Sequence, residues 1–201
     1  MFYRGQKIQI TAVKIFIGLN VLGFVFSLII GQRLGDAILG LSSKGMAQGM
    51  IWQLISYQFV HAGLMHLIVN MAGLWFTGPV LENMLGPWRF VRLYLAAGVL
   101  GGVLQLILSP GSMLIGASGS VCGLVAAYSA LFPEMEITAL LFFVIPVRMK
   151  AKWLGIGVVG ISLVFLITGI MGNIGNAAHI GGALGGYAYV RYLKSRFRVV
   201  R

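Results

Sequence analysis

Carboxylates are nearly absent from this chain of 201 residues: Asp36 is its one aspartate, and Glu82, Glu134 and Glu136 complete the four acidic residues. Catalysis by a pair of aspartates, which needs two such groups sharing a site, is therefore impossible. Cys122 is the single cysteine, so an internal disulfide is excluded and nothing firm follows about redox compartment. Three histidines, one cysteine and no His-Glu-x-x-His run make a poor ligand set, and no metal or other cofactor is expected. No Gly/Ser linker, internal repeat or run of short alternating segments divides the chain, which argues against several domains, a repeat-built transporter and a β-barrel.

What fills the chain instead is apolar. Hydrophobic residues make up 59% and charged residues 9%, with a mean hydropathy of +0.94. Several runs approach the ~20 apolar residues that cross a hydrocarbon core of ~30 Å. The expected class is an all-α, polytopic membrane protein forming one domain over residues 1–201. A formal charge of +11 would suggest nucleic acid in a soluble protein; here basic residues flanking spans account for it, and no nucleic-acid partner is expected. Residues 1–14 are basic and lead into an apolar run without a small-residue cleavage site, which reads as a retained first span rather than a signal peptide.

Six spans are expected, at about 12–30, 62–80, 90–108, 118–132, 153–171 and 178–193. The stretch 137–147 is apolar but short and carries Pro146, so it is either a seventh crossing or a surface segment. Charge decides between them. Six crossings with the N-terminus inside place Arg4, Lys7, Lys14, Arg89, Arg92, Arg148, Lys150, Lys152, Arg191, Lys194, Arg196, Arg198 and Arg201 on the inner side and only Arg33 and Lys44 outside, 13 against 2. A seventh crossing moves the last eight outward and gives 5 against 10. The positive-inside tendency thus favours six crossings, with both termini cytoplasmic.

This topology puts His66, Ser118 and His179 at the outer ends of the second, fourth and sixth spans. Ser118 sits in Gly116-Ala117-Ser118-Gly119-Ser120, where an apolar loop turns into a helix, and His179 closes Asn176-Ala177-Ala178-His179. A hydroxyl becomes a useful nucleophile when a neighbouring imidazole takes its proton. Gly116 and Gly119 permit close approach of backbone and substrate, and a helix N-terminus offers free N–H groups to an oxyanion. Gly-x-Ser-Gly alone is also what small-residue helix packing produces; an ionisable His179 within a span tips the reading toward function. Gly181, Gly182, Gly185 and Gly186 then give the sixth span a smooth face with which to approach the fourth. On the second span His66 and Asn70 lie about 40° apart on a helix, suited to donate together to an oxyanion, whereas His61 lies about 140° from His66 and is expected not to join them. Only Asp36, in a loop, is left as a carboxylate partner for the imidazole, so a Ser118–His179 dyad is favoured over a triad.

These residues resemble the rhomboid intramembrane serine proteases over residues 52–192. The matching pieces are Trp52-Gln53-Leu54-Ile55, His61 with His66 and Asn70, Leu81-Glu82, Gly116-Ala117-Ser118-Gly119, and Asn176-Ala177-Ala178-His179 with the glycines after it. The resemblance implies Ser118 as nucleophile, His179 as base, and His66, Asn70 and the Ser118 backbone N–H as oxyanion hole, with His61 structural. It implies single-pass membrane proteins within the lipid bilayer as substrates, and the charge count puts the expected cut near the outer face. Cys122 stands where the family often carries an aromatic ring stacked on the imidazole. The charge asymmetry suits a bacterial plasma membrane. The alternative is an inactive rhomboid-like protein that binds membrane clients, though such relatives typically lack the serine or the histidine.

A hydroxyl nucleophile without metal should be indifferent to chelation and to the lone thiol. Turnover of a model membrane substrate is expected to be unchanged by EDTA and by Cys122→Ser; loss on EDTA that zinc restores would return the metal reading.

Overall fold

The computed structural model describes residues 11–141, 145–170 and 175–197. Arg4, Lys7, Arg198 and Arg201 of the charge count, and the far end of the fifth expected span, lie outside them. The described chain is predominantly helical. In order come α1 (Ala12–Ile30), three short helices α2 (Gln32–Leu39), α3 (Ser43–Ala47) and α4 (Gln53–Ser56), a 3₁₀ turn at Tyr57–Phe59, α5 (Leu64–Leu85), α6 (Pro87–Leu108), α7 (Ser118–Leu131), the strands β1 (Glu136–Leu141) and β2 (Ile145–Lys150), α8 (Ala151–Thr168) and α9 (Asn176–Phe197). Among the described residues α1, α5, α6 and α8 are long and apolar enough to cross a membrane. Outward side chains such as Ile29 and Ile167 stay 78% and 75% exposed, as lipid-facing positions do. The protein is an integral, multi-pass membrane protein built as a helical bundle.

Buried polar groups decide several boundaries. The second expected span ended at residue 80, before Glu82, yet α5 runs on to Leu85, because Glu82 is buried and employed. Its Oε1 accepts from the Ala12 N–H at 2.7 Å and its Oε2 from the Val13 N–H at 3.0 Å. A carboxylate there satisfies two of the donors a helix start leaves open and faces the positive dipole end of α1. Pro79 lies inside α5 without ending it. Gly86, at φ +82°, makes the tight turn into α6, which starts with Pro87 in the position that needs no N–H. α8 stops earlier than expected, at Thr168, where Gly169 takes φ +66°.

The segment between α1 and α5 is folded rather than loose. Gln53 is fully buried; its Oε1 accepts from Ser42 N–H at 3.2 Å and its Nε2 donates to Ala37 O at 3.1 Å. Trp52 Nε1 donates to Ile38 O and Ser56 Oγ to Leu39 O, at 2.9 and 2.7 Å. Leu41 exchanges both backbone hydrogen bonds with Leu114, at 2.8 and 2.9 Å, so this segment is joined to the loop that precedes α7.

The apolar stretch 137–147 is an antiparallel hairpin of β1 and β2. Two strands alone leave unpaired edges that hydrocarbon does not tolerate. Glu134 clamps its base between Lys150 at 2.7 Å and Lys152 at 2.5 Å. Those two hydrogen bonds hold the Glu134 carboxyl down at about 2, from an ordinary 4.5.

Glycine sets how close α9 comes to its neighbours. A Cβ at Gly182 would overlap the Gly119 carbonyl oxygen, and one at Gly186 that of Gly123. Both numbers rise together, so α7 and α9 run parallel with their backbones in contact. On its other side Gly181 meets the Leu100 carbonyl and Gly185 lies against Ala97, an antiparallel seam with α6. The remaining core is a cluster around Phe16, Leu74, Leu81, Phe90, Tyr94 and Leu124, in which Phe16 and Tyr94 stack at 4.1 Å between centroids.

Gly182→Ala must push α9 off α7, an overpacking that costs about 1–3 kcal/mol. A lower melting temperature in detergent is expected, whereas Gly157→Ala, whose Cβ would enter open space, should leave it unchanged.

Candidate active site

The first turns of α5, α7 and α9 meet at one end of the bundle and bring His66, Ser118 and His179 together. Ser118 opens α7, directly after Ala117 and after Gly116 at φ +113°. The loop that delivers it is pinned residue by residue. Leu114 pairs with Leu41, the Gly116 N–H donates to Tyr57 O at 2.9 Å, and the Ala117 N–H reaches His61 Nε2 at 3.5 Å. Val121 is the first residue whose N–H bonds back into the helix, to Ala117 O. The N–H groups at the start of α7 thus point out of the helix with no intrahelical acceptor, as an oxyanion site requires.

His179 lies in the first turn of α9, and its Nε2 is 2.9 Å from Ser118 Oγ across 61 residues of sequence. Its backbone is held from α6: Gln105 Oε1 accepts from the Ala178 N–H at 3.2 Å, while Gln105 Nε2 donates to Ser112 Oγ at 2.9 Å. The glycine seam begins at the residue just before His179, with the Ala178 carbonyl beside Gly119 and Gly101. On the far side of the imidazole, Nδ1 is 3.4 Å from Ser162 Oγ of α8. Asp36, the one carboxylate left to complete a triad, instead accepts from Gln32 Nε2 at 2.8 Å. Among the described residues no group of three His, Cys, Asp or Glu side chains is placed to hold a metal.

His66 and Asn70 share a face of α5. The His66 ring packs on Gly116, where a Cβ would stand 2.6 Å from its Cε1 and Nε2. Asn70 is buried; its Nδ2 gives one bond to His66 O at 2.9 Å, and the amide holds a second hydrogen. The expectation for His61 needs correction. α5 starts only at Leu64, so His61 is not on the helix and the 140° separation does not apply. Its ring lies edge-on to His66 at 5.0 Å between centroids, fully buried, between His66 and the backbone before Ser118.

Four contributors escaped the sequence reading: Tyr57, Gln58, Gln105 and Ser162. Tyr57 OH donates to Gly98 O at 2.6 Å, and Ser120 Oγ donates to Gln58 Oε1 at 2.7 Å, all within the core. A glutamine in an apolar span, as Gln105 is, was the available signal, since polar groups there are rarely idle.

A model of the Rhomboid domain matches residues 48–196. The chain belongs to the rhomboid family. It is 32% identical over 184 residues to rhomboid protease GluP of Bacillus subtilis (strain 168), an alignment covering 88% of this chain and 34% of that relative. It is 33% identical over 177 residues to the mitochondrial RHOMBOID-like protein 12 of Arabidopsis thaliana, covering 79% of this chain and 51% of the relative. The chain therefore spans about a third to a half of the length of these relatives.

Gly116 leaves no room beside His66 and holds a backbone angle that side chains rarely adopt. Gly116→Ala is expected to slow labelling of Ser118 by a fluorophosphonate by at least ~10-fold, a rise of about 1.4 kcal/mol or more in the barrier. Gly111→Ala, in open space, serves as the control and should label at the parent rate.

Proposed function

We propose that this rhomboid is an intramembrane serine endopeptidase that cleaves membrane-spanning segments of single-pass proteins near the outer face of the membrane. The observation that carries the reading is the 2.9 Å contact between Ser118 Oγ and His179 Nε2 at the joined ends of two helices. Ser118 gives its proton to His179 Nε2 as Oγ bonds to the scissile carbonyl carbon, whose oxygen becomes an oxyanion. The Ser118 N–H, His66 and Asn70 receive that charge. His179 then passes the proton to the leaving nitrogen as the C–N bond breaks; a water, deprotonated by the same imidazole, attacks the acyl carbon, and the proton returns from His179 to Ser118 Oγ as the C–O bond breaks.

Six crossings with both termini cytoplasmic, in a bacterial plasma membrane, fit the charge count and the hairpin at residues 136–150. α7, at 14 residues, is about 21 Å long, short of the ~30 Å core. With its far end at the cytoplasmic interface, Ser118 lies below the outer surface, and the cut falls in the outer third of a substrate's span. The inactive, client-binding reading is disfavoured because serine and histidine are both present and in bonding contact.

Purified protein and a single-pass substrate provide the test, with products mapped by mass spectrometry. Ser118→Ala and His179→Ala should each abolish cleavage, with the double variant no worse than either. His66→Ala and Asn70→Ala should each leave activity reduced by ~10²-fold to 10³-fold. Near-normal cleavage by Ser118→Ala, or cuts at the cytoplasmic end, would refute the proposal.

A further inference from the structure

α8 is the most lipid-exposed of the long helices, and among its described side chains only Ala151 and Ser162 are buried. Ala151 is its first residue, where Ser129 Oγ donates to its carbonyl at 2.7 Å. Ser162 stands 11 residues on, about 16 Å along the axis. Beyond Ala151, the one buried position on this apolar helix is therefore polar. Hydroxyls inside helices ordinarily bond to the carbonyl one turn back. Thr168 does so with Val164 O and Thr77 with Gly73 O. Ser162 Oγ instead meets His179 Nδ1 at 3.4 Å, while only 4% of the residue is exposed. Packing alone would be served as well by alanine or glycine, which small-residue interfaces also use.

We propose that Ser162 is a positioning residue for His179: its Oγ accepts the Nδ1–H of the neutral imidazole and holds the tautomer whose Nε2 lone pair faces Ser118. This rests on the reading of His179 as the base. A neutral imidazole carries one N–H, and the 2.9 Å contact with Ser118 fits either tautomer. Only the form with hydrogen on Nδ1 can take the serine proton; the other would donate to Ser118 Oγ and leave it inert. The partner of Nδ1 therefore selects between a working and an idle base. No carboxylate competes for the task, since Asp36 is held by Gln32, Glu82 caps α1, Glu134 lies in the hairpin clamp and Glu136 opens β1. A hydroxyl is neutral and this contact is long, so its effect is that of one ordinary hydrogen bond, about 3-fold to 10-fold in rate.

The experiment uses the full chain in detergent with ¹⁵N-labelled histidine, whose ring-nitrogen signals report where the proton sits. His179 is assigned by loss of its signals in His179→Gln. The parent protein should show Nδ1 protonated. Ser162→Ala, which keeps the small size, should shift the signals toward the Nε2–H form and lower kcat about 3-fold to 10-fold with KM unchanged. Ser162→Thr, which keeps the hydroxyl, should restore both, and melting temperatures should agree across the set. An unchanged nitrogen signature in Ser162→Ala, or equal loss in Ser162→Ala and Ser162→Thr, overturns the proposal. Because the signature is read without turnover, a parent chain that cleaves nothing but shows the shift refutes the protease reading alone, and an active chain without the shift refutes the role of Ser162 alone.

Discussion

Backbone contact between α7 and α9 is the constraint on which the rest of the molecule depends. In lipid no hydrophobic force pushes helices together, because the tails are as apolar as the side chains, and helices hold only where atoms pack closely. Gly119 and Gly123 against Gly182 and Gly186 let two helices run in parallel with carbonyl oxygens where a Cβ would otherwise stand. Parallel packing brings their first turns side by side, and it is in those turns that Ser118 and His179 stand. The register of the glycines is thus the register of the chemistry. Displacing α9 by one side-chain layer would leave a serine and an imidazole too far apart to share a proton.

A second principle runs through the polar residues buried in the bundle: several of them complete the hydrogen bonds of backbone that is not helical, or of helix ends. Gln53 serves the segment after α1, Gln105 the start of α9, Glu82 the start of α1, and Tyr57, through its carbonyl, the turn before Ser118. A hydrolytic site needs irregular backbone, since a regular helix buries its own N–H groups. Hydrocarbon permits such backbone only where protein satisfies it. The irregular backbone around the site is therefore served by the buried amides of Gln53 and Gln105.

How much of this was legible beforehand varies with the physics. The limits of α1 follow from apolar length alone, and the glycines after His179 announce a smooth face. The hairpin at 136–150 was readable only as an apolar interruption, because a short run with Pro146 has no periodicity to separate strand from surface turn. α5 outlasted its expected end because a glutamate looks like a boundary in a sequence, while its partner N–H groups on α1 are visible only in three dimensions. His61 was placed on a helix that had not yet begun, so an angular argument separated two rings that pack edge to edge. Ser162 carried no signal, a lone serine in an apolar span being common currency of helix packing.

The carboxylate of Glu82 has a bearing on how the protein is made. The donors it accepts from belong to residues 69 and 70 positions earlier, so α1 enters the membrane while its partner is still unsynthesised. Until α5 has followed it, the first turn of α1 must find other acceptors, in lipid headgroups or interfacial water. Completion of that first turn therefore waits until the segment between them and most of α5 have been synthesised. A helix made earlier is thus capped by a residue of one made later.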